Sequence, residues 1–195
     1  MTNRYSQLIN LVRDVQPSII VEVGVHRAAR AAAMINEALL HSKTVTYIGF
    51  DVFETKDEAF QKAAMNGKGT PTKASAEAVL NAIKAKNKNF SYNLIVGDTR
   101  DTLHGIEIVS DFAFIDGDHR VEAIRKDYGS LKRSRCIVFD DYIIAGQAGE
   151  CPDLTLYGAN AVVDELKSKG EDVFILPIAD LCKHGGFAKM AVLRH

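Results

Sequence analysis

Cysteine is scarce in this sequence. The chain has three cysteines, at positions 136, 151 and 182, and no Cys-x-x-Cys spacing. An odd number without paired spacing argues against a secreted disulfide framework and against a structural zinc site. We therefore expect the protein to work in a reducing compartment, the cytoplasm.

A strong charge of one sign and long apolar runs are also missing. The formal net charge is −1 and the pI is about 6.6, so no global positive field is available to hold a nucleic acid or an anionic membrane surface. No stretch approaches the roughly 20 apolar residues of a membrane helix, and residues 1–18 have no apolar core of a signal peptide. A small molecule is the expected partner, and a homo-oligomer is neither specified nor excluded.

What is present favours one α/β domain over residues 1–195. The chain has 195 residues, 47% of them hydrophobic, and shows no internal repeat or low-complexity tract. A leading amphipathic helix is predicted within residues 1–18, because apolar residues recur at helical spacing until Pro17. Five short apolar runs that end in acidic or glycine-containing turns then predict buried strands: residues 18–25, 44–52, 90–98, 111–118 and 135–142.

Helical segments separate these predicted strands. They cover residues 28–40, 74–86, a short piece after Asp98, and 121–131. Alternation of this kind predicts a mainly parallel, doubly wound sheet. The tail adds a helix over 159–169 and strands within 171–178 and 187–195, with a turn at Gly185 and Gly186, so the last strand should run antiparallel. The expected fold is a Rossmann-like three-layer sandwich with seven strands.

Two segments do not fit the minimal alternation of strand and helix. Residues 54–72 and 144–157 are glycine-bearing and loop-like, and each follows the carboxyl end of a predicted strand. Open α/β sheets bind their ligands at that edge. Both segments are therefore candidate lids.

The turn after the first strand is a candidate ligand loop. Glu22 and Gly24 precede a long helix, and a turn over a helix N-terminus offers backbone N–H groups to an anionic ligand. Gly24 alone is equally compatible with a packing glycine. A dinucleotide fingerprint would need small residues where His26 and Ala28 stand, which disfavours a pyrophosphate ligand.

The next two strand ends carry further acids. Asp51 is placed to accept hydrogen bonds from the ribose hydroxyls of an adenosine ligand, although an Asp leaving a strand can also cap the next helix. Asp98, within Gly97-Asp98-Thr99, is placed either to accept a bond from an adenine amino group or to cap the helix that follows. Both functions are compatible with each other.

The series Glu-x-Gly, Asp51, Gly-Asp-Thr, FIDGDHRVEAIRKDY and IVFDDY resembles the class I S-adenosylmethionine-dependent methyltransferases from Ile19 onward. More narrowly, it is similar to the macrocin-type, caffeoyl-CoA and catechol O-methyltransferases. The resemblance implies S-adenosylmethionine as cofactor and O-methylation of a small hydroxylated acceptor. The predicted donor site comprises Glu22, Gly24, Val25, His26, Asp51, Val52, Asp98, Thr99 and Asp116.

Four carboxylates should meet at the ends of the fourth and fifth strands: Asp116, Asp118, Asp140 and Asp141. They would repel one another unless a cation neutralised them, whereas helix capping explains them only individually. Oxygen ligands favour Mg²⁺ or Mn²⁺ over Zn²⁺. The resemblance implies Asp116, Asp140 and Asp141 as metal ligands and Asp118 as general base.

The expected chemistry is an in-line displacement at the sulfonium methyl group. The enzyme must align the acceptor hydroxyl and remove its proton, and a metal would lower the hydroxyl pKa. Asp118 or His119 is the predicted base, with a solvated helix cap as the alternative for His119. A metal-independent N- or C-methyltransferase and a non-catalytic S-adenosylmethionine-binding protein stay open as alternatives.

A short-chain dehydrogenase is the remaining rival. Tyr128 and Lys132 match the Tyr-x-x-x-Lys pattern of that class. The pattern should follow the fifth strand, however, and here it precedes that strand. Chance and an exposed helix surface explain it better.

Overall fold

Alternating apolar strands and amphipathic helices make up the described part of the chain, which in this computed structural model is residues 3–55, 71–144, 152–182 and 186–195. The strands are β1 (Ile19–Val23), β2 (Val45–Asp51), β3 (Phe90–Val96), β4 (Phe112–Ile115), β5 (Cys136–Ile144), β6 (Val173–Ile175), β7 (Asp180–Leu181) and β8 (Phe187–Arg194). The helices are α1 (Tyr5–Val15), α2 (Ala29–Leu39), α3 (Lys73–Lys86), α4 (Thr99–Thr102), α5 (Val121–Leu131) and α6 (Asn160–Ser168), with a 3₁₀ turn at Phe53–Thr55.

The strands form one mixed sheet in the order β3-β2-β1-β4-β5-β8-β6, with β7 paired to β8. β1 to β5 run parallel, and β8 runs antiparallel to β5, β6 and β7. The predicted Rossmann-like α/β fold with an antiparallel last strand is confirmed. The structure adds one strand to the seven predicted, because two residues of β7 are too few to show alternation in the sequence.

Apolar side chains cover both faces of this sheet. One cluster joins α1, α2 and α3 to the sheet through Leu8, Ile35 and Leu80, and the other joins α5 and α6 through Ile124 and Val163. Strands buried on both faces read as continuous apolar runs, which is why β1 and β4 were recognisable. The result is three layers, helices on each side of the sheet.

The topology places one crevice at the carboxyl edge of the sheet. β1 lies between β2 and β4, and the chain builds the sheet first on the β2 side and then on the β4 side of it. The connections on the two sides of β1 therefore run in opposite directions, and a crevice opens at this switch point. Much of the two candidate lids, 56–70 and 145–151, lies outside the described residues, as does Gly185 of the predicted turn. Within the described ranges, no helix is long and apolar enough to cross a membrane.

Candidate active site

The loop between β1 and α2 depends on one glycine, Gly24, and on two non-glycine residues in the left-handed conformation. Gly24 has φ +93°, and a Cβ there would lie 2.0 Å from the carbonyl oxygen of Asp116. His26 and Ala28 adopt φ of 50° and 57° although both carry side chains. The loop therefore takes the left-handed turns of a glycine-rich loop with two non-glycine residues, at some cost in strain.

Asp51 holds this loop in place from the end of β2. Its Oδ2 accepts a hydrogen bond from the backbone N–H of His26 and its Oδ1 one from that of Phe53, each at 2.7 Å. Burial raises the pKa of Asp51, and the backbone N–H bonds act in the opposite direction. A carboxylate has about four lone-pair sites, so Asp51 can accept further bonds from a ligand besides those from the backbone.

Two cavities meet at Asp51, Gly24 and Gly117. The larger has a volume of about 240 Å³ and is lined by Tyr5, Gly24, Val25, His26, Arg27, Ala29, Arg30, Asp51, Pro71, Asp116, Gly117 and His119. The smaller, about 30 Å³, is lined by Val23, Gly24, Phe50, Asp51, Val52, Gly97, Asp98, Thr99, Gly117 and Asp118. All predicted donor residues except Glu22 line one cavity or both.

Asp98 acts as the N-cap of α4 at the wall of the smaller cavity. Its side chain accepts from the backbone N–H of Arg100 at 3.0 Å, and the Arg100 guanidinium pairs with the same carboxylate at 2.6 Å. The predicted capping function is thus present. Recognition of an adenine amino group by Asp98 stays a prediction.

Glu22 lies below the cavities, within β1. Its carboxyl accepts a hydrogen bond from the buried Tyr47 hydroxyl on β2. Burial raises the pKa of Glu22 to about 8, although the bond from Tyr47 acts against this rise. Glu22 is therefore largely protonated at neutral pH and joins β1 to β2 through Tyr47, and its predicted contact with the donor stays a prediction.

This raised pKa makes stability depend on pH. Between the unfolded value of 4.5 and about 8, the folded state holds a proton on Glu22 that the unfolded state has lost. The contribution of Glu22 to the free energy of unfolding is therefore fully present below pH 4.5, and it is lost as the pH rises through 8. We expect wild type to lose about 2 kcal/mol more than Glu22→Gln between pH 6 and pH 8, measured by urea unfolding. Parallel pH profiles of the two proteins would contradict this expectation.

The two aspartates of β5 sit at an irregularity in the strand. The pairing with β8 shifts register between Phe139 and Tyr142, and Asp141 has φ 52°. A bulge re-aims side chains, and a non-glycine residue in the left-handed region stores strain that is common at functional sites. Asp140 and Asp141 consequently share one partner, Arg4, while Asp140 alone also accepts from Tyr5 and Asp141 alone pairs with His119.

Arg4, at the start of α1, binds both aspartates. Its Nε and Nη2 lie 2.9 and 2.8 Å from the two carboxylate oxygens of Asp140, and Nη2 also lies 2.9 Å from Oδ1 of Asp141. The Tyr5 hydroxyl donates to Oδ2 of Asp140 at 2.9 Å. An arginine thus places a positive charge against Asp140 and Asp141, two of the three acids that the sequence analysis assigned to a metal.

His119 takes the other oxygen of Asp141. Its Nδ1 lies 2.9 Å from Oδ2 of Asp141, and its ring stacks on Tyr157 with 5.6 Å between centroids. The ring is buried and lines the larger cavity. A carboxylate at Nδ1 fixes the tautomer that presents Nε2 as a proton acceptor, so this pair has the arrangement of a general base.

Asp118 lies on the opposite side of Gly117, in the smaller cavity. Its carboxylate accepts from the backbone N–H of Arg120 at 2.9 Å and pairs closely with the Arg120 guanidinium. It therefore helps to start α5 and is held by a cation on the donor side. The predicted base role of Asp118 stays a prediction.

The structure brings together a group that shares two of its three residues with the predicted metal ligands. Among the described residues, candidate ligand atoms of Asp116, His119 and Asp141 lie within 4.8 Å of one another. Asp140 is not in that set, because Arg4 and Tyr5 take its oxygens. Neither Asp140 nor Asp141 lines the two cavities. Asp116 and Asp141, two of the three predicted ligands, belong to this group, whereas Asp140 is paired with Arg4 and Tyr5, and metal binding stays a prediction.

Three functional candidates were absent from the sequence-based prediction: Arg4, Tyr5 and Arg30. The guanidinium carbon of Arg30 lies 3.5 Å from the ring centroid of Tyr5, and both residues line the larger cavity. Arg4 is the N-cap of α1, Tyr5 is a partly buried residue on the core-facing side of that helix, and Arg30 lies at the start of α2. A polar residue on an amphipathic helix gives no local sign that it faces a site across the fold.

Comparison with known families identifies one match. A family model described as a methyltransferase domain matches residues 21–142, more than half of the chain. A comparison with curated proteins finds no match. The matched residues run from β1 to β5 and include the acids of both cavities.

Solved structures share the fold at low sequence identity. The O-methyltransferase from Bacillus cereus in complex with S-adenosylhomocysteine has 14% identity and a TM-score of 0.62, over 98% of this chain and 80% of that one. The O-methyltransferase TomG from Streptomyces achromogenes, in complex with S-adenosylmethionine, has 17% identity and a TM-score of 0.60, over 97% and 78%. The methyltransferase domain of bacterial CtHen1 has 14% identity and a TM-score of 0.52, over 99% and 98%.

Proposed function

The chain belongs to the methyltransferase-domain family, and from this membership we infer that it transfers a methyl group from S-adenosylmethionine to a hydroxyl group of a small acceptor. The two cavities support this inference, because they meet at a carboxylate on the switch-point crevice of the sheet. The observation that carries it is Asp51, which lines both cavities and is braced by two backbone N–H groups.

The donor is proposed to span both cavities. Its adenine lies between Val52 and Thr99 in the smaller cavity, and its ribose hydroxyls donate to Asp51, whose remaining lone pairs accept them. Its methionine part extends into the larger cavity, where Arg27 and Arg30 stand at the N-terminal end of α2. A carboxylate is favoured there by the arginine charges and by the helix dipole.

His119 is the proposed base for the acceptor hydroxyl. Nε2 takes the hydroxyl proton as the oxygen attacks the sulfonium methyl carbon; the O–C bond forms, the S–C bond breaks, and S-adenosylhomocysteine leaves. Asp141 stabilises the imidazolium through Nδ1. We prefer His119 to Asp118 because His119 lines the larger cavity, while Asp118 is paired with Arg120 on the donor side.

Calorimetry with S-adenosylhomocysteine tests the donor site. We expect wild type to bind, and Asp51→Asn to bind about 10- to 100-fold more weakly, because each charge-assisted bond contributes about 1.5–3 kcal/mol. The asparagine amide would also place N–H groups opposite a backbone N–H of His26 or Phe53. Absence of wild-type binding at millimolar ligand would overturn the proposed function.

Asp111→Asn is the matched control for this substitution. Asp111 also accepts two backbone N–H bonds, from Ser18 and Ile19 at 2.8 and 2.9 Å, but it does so at the opposite edge of the sheet. We expect Asp111→Asn to lower stability without changing affinity for S-adenosylhomocysteine. Equal loss of affinity in both variants would assign the effect to folding rather than to the donor site.

A further inference from the structure

We propose that Arg4 is the built-in cation of this site: it occupies the position of a divalent metal at Asp140 and Asp141, so that methyl transfer proceeds without one. The inference rests on the proposed function for its catalytic meaning only. The structural claim, that the Arg4 guanidinium keeps a divalent metal away from Asp140 and Asp141, is tested separately by metal binding.

The contacts of Arg4 account for three of the four oxygens of the two carboxylates. Nε and Nη2 form a fork with Asp140, and Nη2 bridges to Oδ1 of Asp141. The fourth oxygen, Oδ2 of Asp141, faces Nδ1 of His119. Paired, planar contacts of this kind match carboxylate geometry and are stronger than neutral hydrogen bonds. A cation that ligated Asp140 or Oδ1 of Asp141 would have to compete with Arg4 for these oxygens. Candidate ligand atoms of Asp116, His119 and Asp141 also lie within 4.8 Å of one another, so the metal affinity of the wild type is the critical test of the proposal.

The start of α1 is fixed so that Arg4 stays in place. The backbone N–H of Arg4 donates to Asp180 on β7 at 3.1 Å. The side chain of Gln7 bonds both backbone groups of Ile178, donating to its carbonyl at 3.1 Å and accepting from its N–H at 2.9 Å. Leu8, one turn after Arg4, is fully buried in the core. The guanidinium is therefore held by the fold and not by the two acids alone.

This placement makes Arg4 a positioning residue for the proposed base. Arg4 binds Oδ1 of Asp141, and His119 binds Oδ2 of the same carboxylate. The positive charge of Arg4 contacts both adjacent carboxylates and offsets their mutual repulsion. Asp141 then remains available to orient His119. If Asp141 were bound to a metal, it would be less free to do so.

Titration with Mn²⁺, followed by the electron paramagnetic resonance signal of the free ion, tests the proposal without an acceptor. We expect weak Mn²⁺ binding by wild type and at least tenfold tighter binding by Arg4→Met, because Asp140 and Asp141 lose their counter-ion. Arg4→Lys keeps the charge and should stay close to wild type. Arg13→Met is the matched control: Arg13 lies on the same helix and pairs with Glu37 at 2.7 Å, at the exposed end away from the site.

Each outcome decides for or against the proposal. Wild-type Mn²⁺ affinity equal to that of Arg4→Met would overturn it, and so would methyl transfer by wild type that requires added Mg²⁺ or Mn²⁺. If Arg4→Met does not fold, as judged by its thermal transition, tight Mn²⁺ binding by wild type overturns the proposal and weak binding with transfer in excess EDTA supports it. Failure of the proposed function is a separate result, since it appears as absent binding of S-adenosylhomocysteine by wild type.

Discussion

Gly24→Ala is expected to lower the free energy of unfolding by about 3–5 kcal/mol, the range of severe single substitutions. The new Cβ would lie 2.0 Å from the carbonyl oxygen and 2.5 Å from the carbonyl carbon of Asp116, and 2.8 Å from Cα of Gly117. All three atoms belong to backbone, so no side chain can rotate away. The loop after β1 and the end of β4 must separate, at the point where the two cavities meet.

Gly170→Ala separates two contributions to this loss, the left-handed backbone conformation and the close approach of the new Cβ to other atoms. Gly170 has φ +85°, close to the φ of Gly24, but a Cβ there meets nothing within 4 Å. We expect this control to cost only about 1 kcal/mol, the price of the left-handed conformation. Urea unfolding of both variants measures the difference. Equal losses would mean that conformation alone requires Gly24, and that the close approach to Asp116 is relieved by relaxation.

The strands and the acidic edge of the sheet could be predicted because the signals are local. β1 to β5 are short apolar runs with polar stops, and parallel topology forces their carboxyl ends to one edge. Asp51 and Asp98 therefore lie at the same edge of the sheet, as expected, and both line the smaller cavity. The two residues of β7 carry no such pattern, and they take their conformation from pairing with β8.

The charge balance of the site could not be predicted, because it depends on contacts between distant parts of the chain. Arg4 and Asp140 are 136 positions apart, and nothing near Arg4 in the sequence marks it as different from other arginines on helices. Repulsion among the four clustered carboxylates led to the expectation of a divalent metal, and the structure places the guanidinium of Arg4 against two of them, Asp140 and Asp141. Whether that cation is a metal or a side chain depends on where α1 packs, which tertiary structure alone determines.

The roles of Asp118 and His119 illustrate the same limit. The sequence places both at the start of α5, one residue apart, and either fits a base. In the structure they face different cavities, since Asp118 pairs with Arg120 and His119 with Asp141. The direction in which each side chain leaves a turn is decided by partners on other elements, here β5 for His119.

His119→Asn is expected to reduce methyl transfer by about 10²–10⁴-fold, the range for loss of a positioned general base. The asparagine amide can still donate to Asp141 from the position of Nδ1, but it lacks the acceptor at Nε2. The measurement is the rate of S-adenosylhomocysteine formation, with an acceptor found by screening catechols, phenols and sugars. Affinity for S-adenosylhomocysteine, measured by calorimetry, should change less than threefold.

His104→Gln is the control for this result. In the described ranges, His104 forms a second histidine–aspartate pair, with Nε2 3.0 Å from Oδ1 of the buried Asp127, and glutamine can place its amide at the position of Nε2. Because His104 and Asp127 lie outside the lining of both cavities, we expect near wild-type transfer. If the two variants lost transfer equally, the effect would come from disturbed α5 packing. If His119→Asn kept full transfer, His119 would be a structural partner of Asp141, and Asp118 would become the base to test.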